Sequence, residues 1–270
     1  MNEKEQKLRL RLRELSPVAV AFSGGVDSTY LLHVAVDELG AGNVLALTAI
    51  SPVYPQHEQE SCRKLAAEFG VRLLEVPADV LANPGFVAND RERCYTCKLD
   101  LFGAFARIVK QNGFDALLDG SNVDDLADFR PGHRALGELN VYSPLLDAGL
   151  VKDEIRLLSR QAGLPTWNKQ PFACLATRFP YGTEITAERL AQVGSCEQLL
   201  HELGLTNYRV RYHDNVARIE VAPAEMERFL EQDFRRKVAT HFRDAGFEFV
   251  TLDLEGYRSG SMNGPDVNDS

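Results

Sequence analysis

The sequence predicts an α/β fold: a parallel sheet with helices on both faces, followed by a smaller C-terminal α+β domain. Three observations predict it. Short apolar runs alternate with helical patterns through the first half of the chain, as in a doubly covered parallel sheet. A glycine turn, Ser23-Gly24-Gly25-Val26-Asp27-Ser28, joins the first apolar run to a long helical pattern. Beyond about residue 185 the pattern changes, and two alternating segments follow each other as a paired hairpin would. The expected domains are residues 1–184 and 185–270.

The elements justify this in order. Residues 3–15 are charged and helical. Val18 to Phe22 is the first strand, and Val26 to Leu39 the helix that follows the glycines. Asn43 to Ile50 is a second strand, Pro55 to Phe69 an amphipathic helix stopped by Gly70, and Val71 to Val76 a third strand. A polar stretch with Pro77, Pro84 and Gly85 precedes a helix expected from near Cys97 to Gly113. Asp115 to Asp119 is the fourth strand, and Lys152 to Gln161 another helix. Pro165 to Gly182 has no period. Ala187 to Leu203 is helical, Asn207 to His213 and Val216 to Val221 are strands, Glu225 to Ala245 is helix broken near Asp233, and Phe247 to Leu254 is the last strand. Ligands of such sheets bind at the carboxyl ends of strands. The glycine turn, Thr48 and Gly120 all fall there.

Composition narrows the function. The 270 residues are 44% hydrophobic and carry a formal net charge of −9. An acidic chain is a poor generic binder of polyanions, so no nucleic acid partner is expected. The N-terminus lacks the apolar core of a signal peptide, and no apolar run has membrane-spanning length. The expected location is the cytoplasm, where five cysteines do not form a disulfide framework. Homo-oligomers are expected.

Several constellations carry chemistry. In the glycine turn, paired glycines let backbone N–H groups approach an anion at a helix N-terminus, Ser23 and Ser28 add hydroxyls, and Asp27 can hold magnesium. Composition and order resemble the PP-loop of ATP pyrophosphatases, whose chemistry splits ATP between its α and β phosphates. After the fourth strand, Gly120 permits a tight exit, and Asn122, Asp124, Asp125 and Asp128 gather at a helix start. They cap a helix there, or bind magnesium or the ribose of ATP. Arg130 is the cation expected to meet a phosphate or substrate oxygen. Cys94 and Cys97 form a C-x-x-C whose thiolates can reach one metal. Cys174, in an irregular segment beside Arg178, would have its thiolate favoured. If the three meet they leave an open metal corner, which suits an iron–sulfur cluster. Cys62 and Cys196 read as packing residues. Arg209, Arg211 and His213 share one strand face, Arg218 and Glu220 share one on the partner strand, Glu197 lies on the helix before, and Arg258 and Ser259 follow the last strand. Grouped arginines suit a phosphate or carboxylate; a solvated sheet face is the alternative.

With these pieces in order, the chain resembles the LarE family, a branch of the PP-loop (adenine nucleotide α-hydrolase-like) enzymes. The likeness runs through Ser23–Ser28, Leu118–Gly132, Trp167-Asn168-Lys169, Arg178 to Thr183, Arg209-Val210-Arg211, Ala217 to Glu220, and Val250 to Leu254 with Arg258-Ser259-Gly260. The resemblance implies an ATP- and Mg2+-dependent sulfurtransferase. It would adenylate a carboxylate of pyridinium-3,5-biscarboxylic acid mononucleotide and replace AMP by sulfide, for the nickel-pincer nucleotide of lactate racemase. It implies nucleotide contacts at Ser23, Gly24, Gly25, Asp27, Ser28, Thr48, Gly120, Asn122, Asp124 and Arg130. Substrate contacts are implied at Glu197, Arg209, Arg211 and Arg258, and catalytic roles for Asp27, Cys174 and Arg178. Some members sacrifice one cysteine; others hold three that bind a four-iron (4Fe-4S) cluster. Cys94, Cys97 and Cys174 resemble the second pattern, with an external sulfide or persulfide donor. A PP-loop tRNA thiolase, an ammonia-dependent NAD- or GMP-synthetase-like ligase, and a non-catalytic nucleotide-binding metal sensor are the competing readings.

Overall fold

The computed structural model describes residues 2–126, 132–170, 174–258 and 262. The chain divides into two units, Met1–Phe86 with Arg91–Phe172, and Val87–Asp90 with Ala173–Ser270. The sequence-drawn boundary lies at residues 184 and 185; the change of unit falls at Ala173, and four earlier residues join the second unit.

The first unit contains α1 (Glu3–Leu15), β1 (Val18–Ala21), α2 (Val26–Leu39), β2 (Val44–Ile50), α3 (Gln56–Glu68) and β3 (Arg72–Pro77). Then come α4 (Pro84–Val87), whose last residue belongs to the second unit, α5 (Arg93–Gln111), β4 (Ala116–Leu118), α6 (Gly132–Glu138), α7 (Pro144–Asp147) and α8 (Lys152–Gln161). The four strands are parallel in the order β3-β2-β1-β4. A parallel bridge from Leu118 to Tyr142 extends the β4 edge.

Side-chain alternation divides the core into two layers. Val18, Val20, Val44, Ala46, Ala116 and Leu118 join a cluster with residues of α1, α2 and α8. Ala19, Leu45, Leu47 and Leu117 point the other way, toward Phe102, Phe105 and Val109 of α5. Both faces are apolar, so the strands read as continuous apolar runs rather than alternating ones.

Local signals explain the ends. Gly40, at φ 77, closes α2, and Gly70, at φ 63, follows α3; both are conformations glycine adopts without strain. The helix expected near Cys97 begins earlier, at Arg93, so both cysteines of the C-x-x-C lie within its first five residues. The polar stretch before it holds a 3-10 turn, Val80–Ala82, and the short α4.

The second unit contains α9 (Ala187–Glu202), β5 (Tyr208–His213), β6 (Val216–Val221), α10 (Gln232–Asp244) and β7 (Phe249–Leu252). β5 and β6 form the expected antiparallel hairpin, with Asp214 at φ 54 in the turn. β7 returns through α10 to lie parallel to β6. The break in the preceding helical pattern comes at Glu231, between a 3-10 segment, Pro223–Leu230, and α10. Val193, Leu200, Val210, Ile219 and Phe242 are buried at its centre. The stray segment Val87–Asp90 is tied in by Asn89, whose side-chain amide donates to the carbonyls of Pro180 (2.7 Å) and Thr183 (2.9 Å). The Asn89 carbonyl accepts from Gly182, and that of Val87 from Ile185. No helix among the described residues is long and apolar enough to cross a membrane.

Leu118 is fully buried on the strand that carries the second half of the ligand-binding edge. Leu118→Ala is expected to destabilise the protein by roughly 2–5 kcal/mol, the transfer and cavity cost of the lost atoms. Denaturant unfolding followed by far-UV circular dichroism measures it.

Candidate active site

β1 lies between β2 and β4, so the chain leaves neighbouring strands in opposite directions and opens a crevice at their carboxyl ends. The glycine turn fills one side of it. Gly24 has φ +67, and a Cβ there would stand 2.9 Å from the Cys62 sulfur, so both backbone and space require glycine. Gly25 is the N-cap of α2 and offers no side chain to its first N–H groups. Those groups are left for an anion, on which the helix dipole also acts. Ser23 Oγ and Ser28 Oγ lie 3.1 Å apart, and Gly25 N–H is 3.4 Å from Ser23 Oγ. Thr48, at the end of β2, hydrogen-bonds the Cys62 thiol, which burial raises to about 11. Cys62 packs against the loop as an un-ionised thiol.

Asp27 is the half-satisfied carboxylate of this loop. Its Oδ2 pairs with Lys152 Nζ at the start of α8. Its Oδ1 is buried and has no hydrogen-bond partner among the described residues. Burial raises the carboxyl above its usual range; Lys152 opposes that, and Asp125 adds to it. A buried, half-satisfied carboxylate oxygen is costly unless something else meets it. Mg2+, a hard cation that seeks oxygen, fits that atom.

Gly120 faces this loop from β4. A Cβ on it would lie 3.0 Å from the backbone nitrogen of Ser28. Asp119 is buried and accepts from Ser143 Oγ (2.6 Å) and from Ser121 Oγ. Asn122 and Asp124, expected to meet nucleotide, are engaged with backbone. Asn122 Oδ1 accepts from Asp124 N–H, and Asp124 Oδ2 from Lys152 N–H at 2.7 Å. Asp125 Oδ2 accepts from Asn122 N–H. They lie at a 3-10 turn, Val123–Leu126. Asp128 and Arg130 lie outside the described residues, as does Ser259.

Sequence reasoning did not single out Lys152, Lys169 or Glu58 as site residues. Lys169 Nζ donates to Gly24 O (3.0 Å) and to Glu58 Oε2 (2.6 Å). The signal available for Lys169 was its place in Trp167-Asn168-Lys169; Lys152 and Glu58 had none.

In the second unit the arginines are not a solvated face. Arg178 is 0% exposed and grips Glu197 with two bonds, Nε to Oε1 (2.7 Å) and Nη2 to Oε2 (3.0 Å). Its Nη1 donates to Thr177 Oγ1 and lies 3.5 Å from the Cys174 carbonyl. Arg211 pairs with buried Glu220 and donates to Thr177 O. Arg209 is buried over the Tyr257 ring, and burial together with Arg178 holds its guanidinium below its usual value. Arg218 also reaches Glu220, across the hairpin from Arg211. His213 continues this face, and burial and Arg218 lower its imidazole. Arg258 is half-exposed and paired with Glu255 and with Asp253, which also lies 3.6 Å from Arg218.

Cys94 is exposed and Cys97 partly so, one helical turn apart in the first unit. The Arg93 guanidinium lies 3.9 Å from the Cys94 sulfur. Cys174 is partly buried and belongs to the second unit. Among the described residues no group of three His, Cys, Asp or Glu side chains is gathered to hold a metal ion.

The NAD synthase family model matches residues 3–84, which include the whole glycine loop. Similarity to a pyridinium-3,5-bisthiocarboxylic acid mononucleotide synthase from Lactiplantibacillus plantarum extends much further. It is 38% identical over 260 residues, covering 96% of this chain and 94% of that protein. The chain belongs to the LarE family. It is an ATP-dependent sulfurtransferase of the PP-loop superfamily. An uncharacterized protein of Synechocystis is 41% identical over 97% of this chain and 98% of its own. A tRNA(Ile)-lysidine synthase of Burkholderia mallei is 26% identical over 82% of this chain but only 50% of its own. The superfamily likeness is thus partial, while the LarE likeness takes in both units.

Gly120→Ala would press a methyl group onto the backbone at the start of α2. It is expected to cost roughly 1–3 kcal/mol of stability, and to weaken ATP binding by shifting the loop. Thermal unfolding and nucleotide titration of the same variant check both.

Proposed function

We propose that this protein adenylates a carboxylate of pyridinium-3,5-biscarboxylic acid mononucleotide and converts it to a thiocarboxylate, acting in the cytoplasm on the way to the nickel-pincer nucleotide. The observation that carries the reading is the orphaned Asp27 oxygen beside an uncapped helix N-terminus, in a chain 38% identical end to end to the thiocarboxylate synthase.

The chemistry needs two displacements. A carboxylate oxygen attacks the α-phosphorus of ATP, the bond to the β-phosphate oxygen breaks, and pyrophosphate leaves. Sulfide then attacks the acyl carbon, the bond to AMP breaks, and the thiocarboxylate remains. Adenylation is needed because a free carboxylate is anionic and resonance-stabilised. Ser23, Gly24, Gly25 and Ser28 hold the departing pyrophosphate, and Asp27 would hold Mg2+, which would supply neutralising charge there. Lys152, paired with Asp27, adds positive charge at the same edge. Thr48, Gly120, Asn122, Asp124 and Arg130 complete the nucleotide site. Arg209 and Arg211 bind the substrate's phosphate or second carboxylate by charge-assisted bonds; Glu197, held by Arg178, accepts from a substrate hydroxyl, and Arg258 assists from the surface. A four-iron cluster on Cys94, Cys97 and Cys174, when bound, would supply the sulfide, replenished by an external sulfide or persulfide.

Two experiments test this. Asp27→Asn is expected to lower substrate-dependent pyrophosphate release by roughly a hundredfold or more, with the fold retained. Release at the wild-type rate would remove Asp27 from the chemistry. Protein purified without oxygen should contain iron and acid-labile sulfide, both lost on changing Cys94, Cys97 or Cys174 to Ala and kept on changing Cys62 or Cys196. Iron-free, active protein with dehydroalanine at position 174 after turnover would instead make Cys174 the sacrificed sulfur.

A further inference from the structure

Lys169 has no task in the scheme above, yet its ammonium reaches the backbone of the nucleotide loop from 145 residues away. Its two acceptors are the Gly24 carbonyl at 3.0 Å and Glu58 Oε2 at 2.6 Å. It is itself held in place. Arg156 of α8 donates to the carbonyls of Trp167 and Lys169, each at 3.0 Å. The Arg160 guanidinium lies 5.0 Å above the Trp167 ring.

The peptide between Gly24 and Gly25 is planar, so its carbonyl and its N–H point in opposite directions. Fixing one fixes the other. With the carbonyl drawn toward Lys169, the Gly25 N–H points toward Ser23 Oγ, on the side where Ser28 Oγ also lies. Two glycines flank this peptide, and glycine backbones rotate at little cost. A half-turn would aim the carbonyl, negative end first, at the place a phosphate must occupy.

The geometry points to Lys169 as a positioning residue for ATP. It locks the Gly24–Gly25 peptide with its N–H toward the phosphates, while Glu58 offsets the charge of the ammonium. The inference rests on ATP occupying this loop and is independent of which carboxylate is activated.

The test is calorimetric titration with Mg2+ and α,β-methylene-ATP, together with KM and kcat for pyrophosphate release. Lys169→Met is expected to weaken nucleotide binding roughly ten- to hundredfold, the scale of one charge-assisted hydrogen bond. KM for ATP should rise while kcat at saturating ATP and KM for the second substrate hold. Lys169→Arg, still a donor, should recover most of the affinity. Glu58→Gln leaves the ammonium on Gly24 and makes the loop more positive, so it should bind nucleotide as well as wild type or better. Thermal unfolding of the Met and Arg variants guards against a folding defect. Wild-type affinity in Lys169→Met would overturn the inference. So would equal losses in Lys169→Met and Glu58→Gln, which would mark a purely structural ion pair. Wild-type protein that binds no nucleotide would overturn the ATP reading beneath it.

Discussion

The placement of β1 between β2 and β4 is the constraint on which the nucleotide edge depends. Parallel strands must be joined by crossovers, and a right-handed crossover sends each connection to a face set by the direction of travel. At β1 that direction reverses. The loop after β1 and the loop after β4 therefore diverge, and neither closes the gap between them. A Gly24 able to sit at φ +67 and a Gly120 without a side chain let the backbones stay close at their base. The apolar layers on both faces fix the register of the strands, and so the height at which these loops emerge.

Charge is handled alike in both units. Asp27 with Lys152 and Glu58 with Lys169 are pairs drawn from distant parts of the chain, and Arg178 with Glu197 and Arg211 with Glu220 are pairs between neighbouring elements. A buried pair contributes little net stability, because desolvation offsets attraction; removing one partner is what costs. Their value here is geometric. Each fixes a group that an unpaired long side chain would leave loose. Arg178 shows this best: its fork on Glu197 and its bond to Thr177 tie the segment that carries Cys174 to α9.

Much of this was legible in the sequence. The glycine loop announced itself because anion binding at a helix start needs particular residues at consecutive positions, and consecutive positions are what a sequence displays. The strands were legible because burial on both faces leaves unbroken apolar runs. The partners of the loop were not. Lys152 stands 125 residues from Asp27, and Glu58 is 111 residues from Lys169. Nothing local marks a lysine as bound for a distant carbonyl. Period-two spacing correctly set Arg209 and Arg211 on one face, but it could not say that this face is buried. The start of α5 was placed late because Arg93 and Glu92 look like ordinary polar linker. Asn122, Asp124 and Asp125 were read as ligands or caps, and each accepts from a backbone N–H group.

The second unit is not continuous in sequence, and this bears on its biosynthesis. Val87–Asp90 is made long before the rest of that unit, and Asn89 sits at 0% exposure with its amide on Pro180 and Thr183. While the ribosome is still adding α8, Pro180 and Thr183, which the Asn89 amide binds, have not yet been made. A polypeptide starting at Ala173 would lack them altogether, leaving the Pro180 and Thr183 carbonyls without the donor that fits them. The two units therefore cannot be made as separate gene products by one cut, and any split or circularly permuted form would have to carry a copy of Val87–Asp90 into the C-terminal piece.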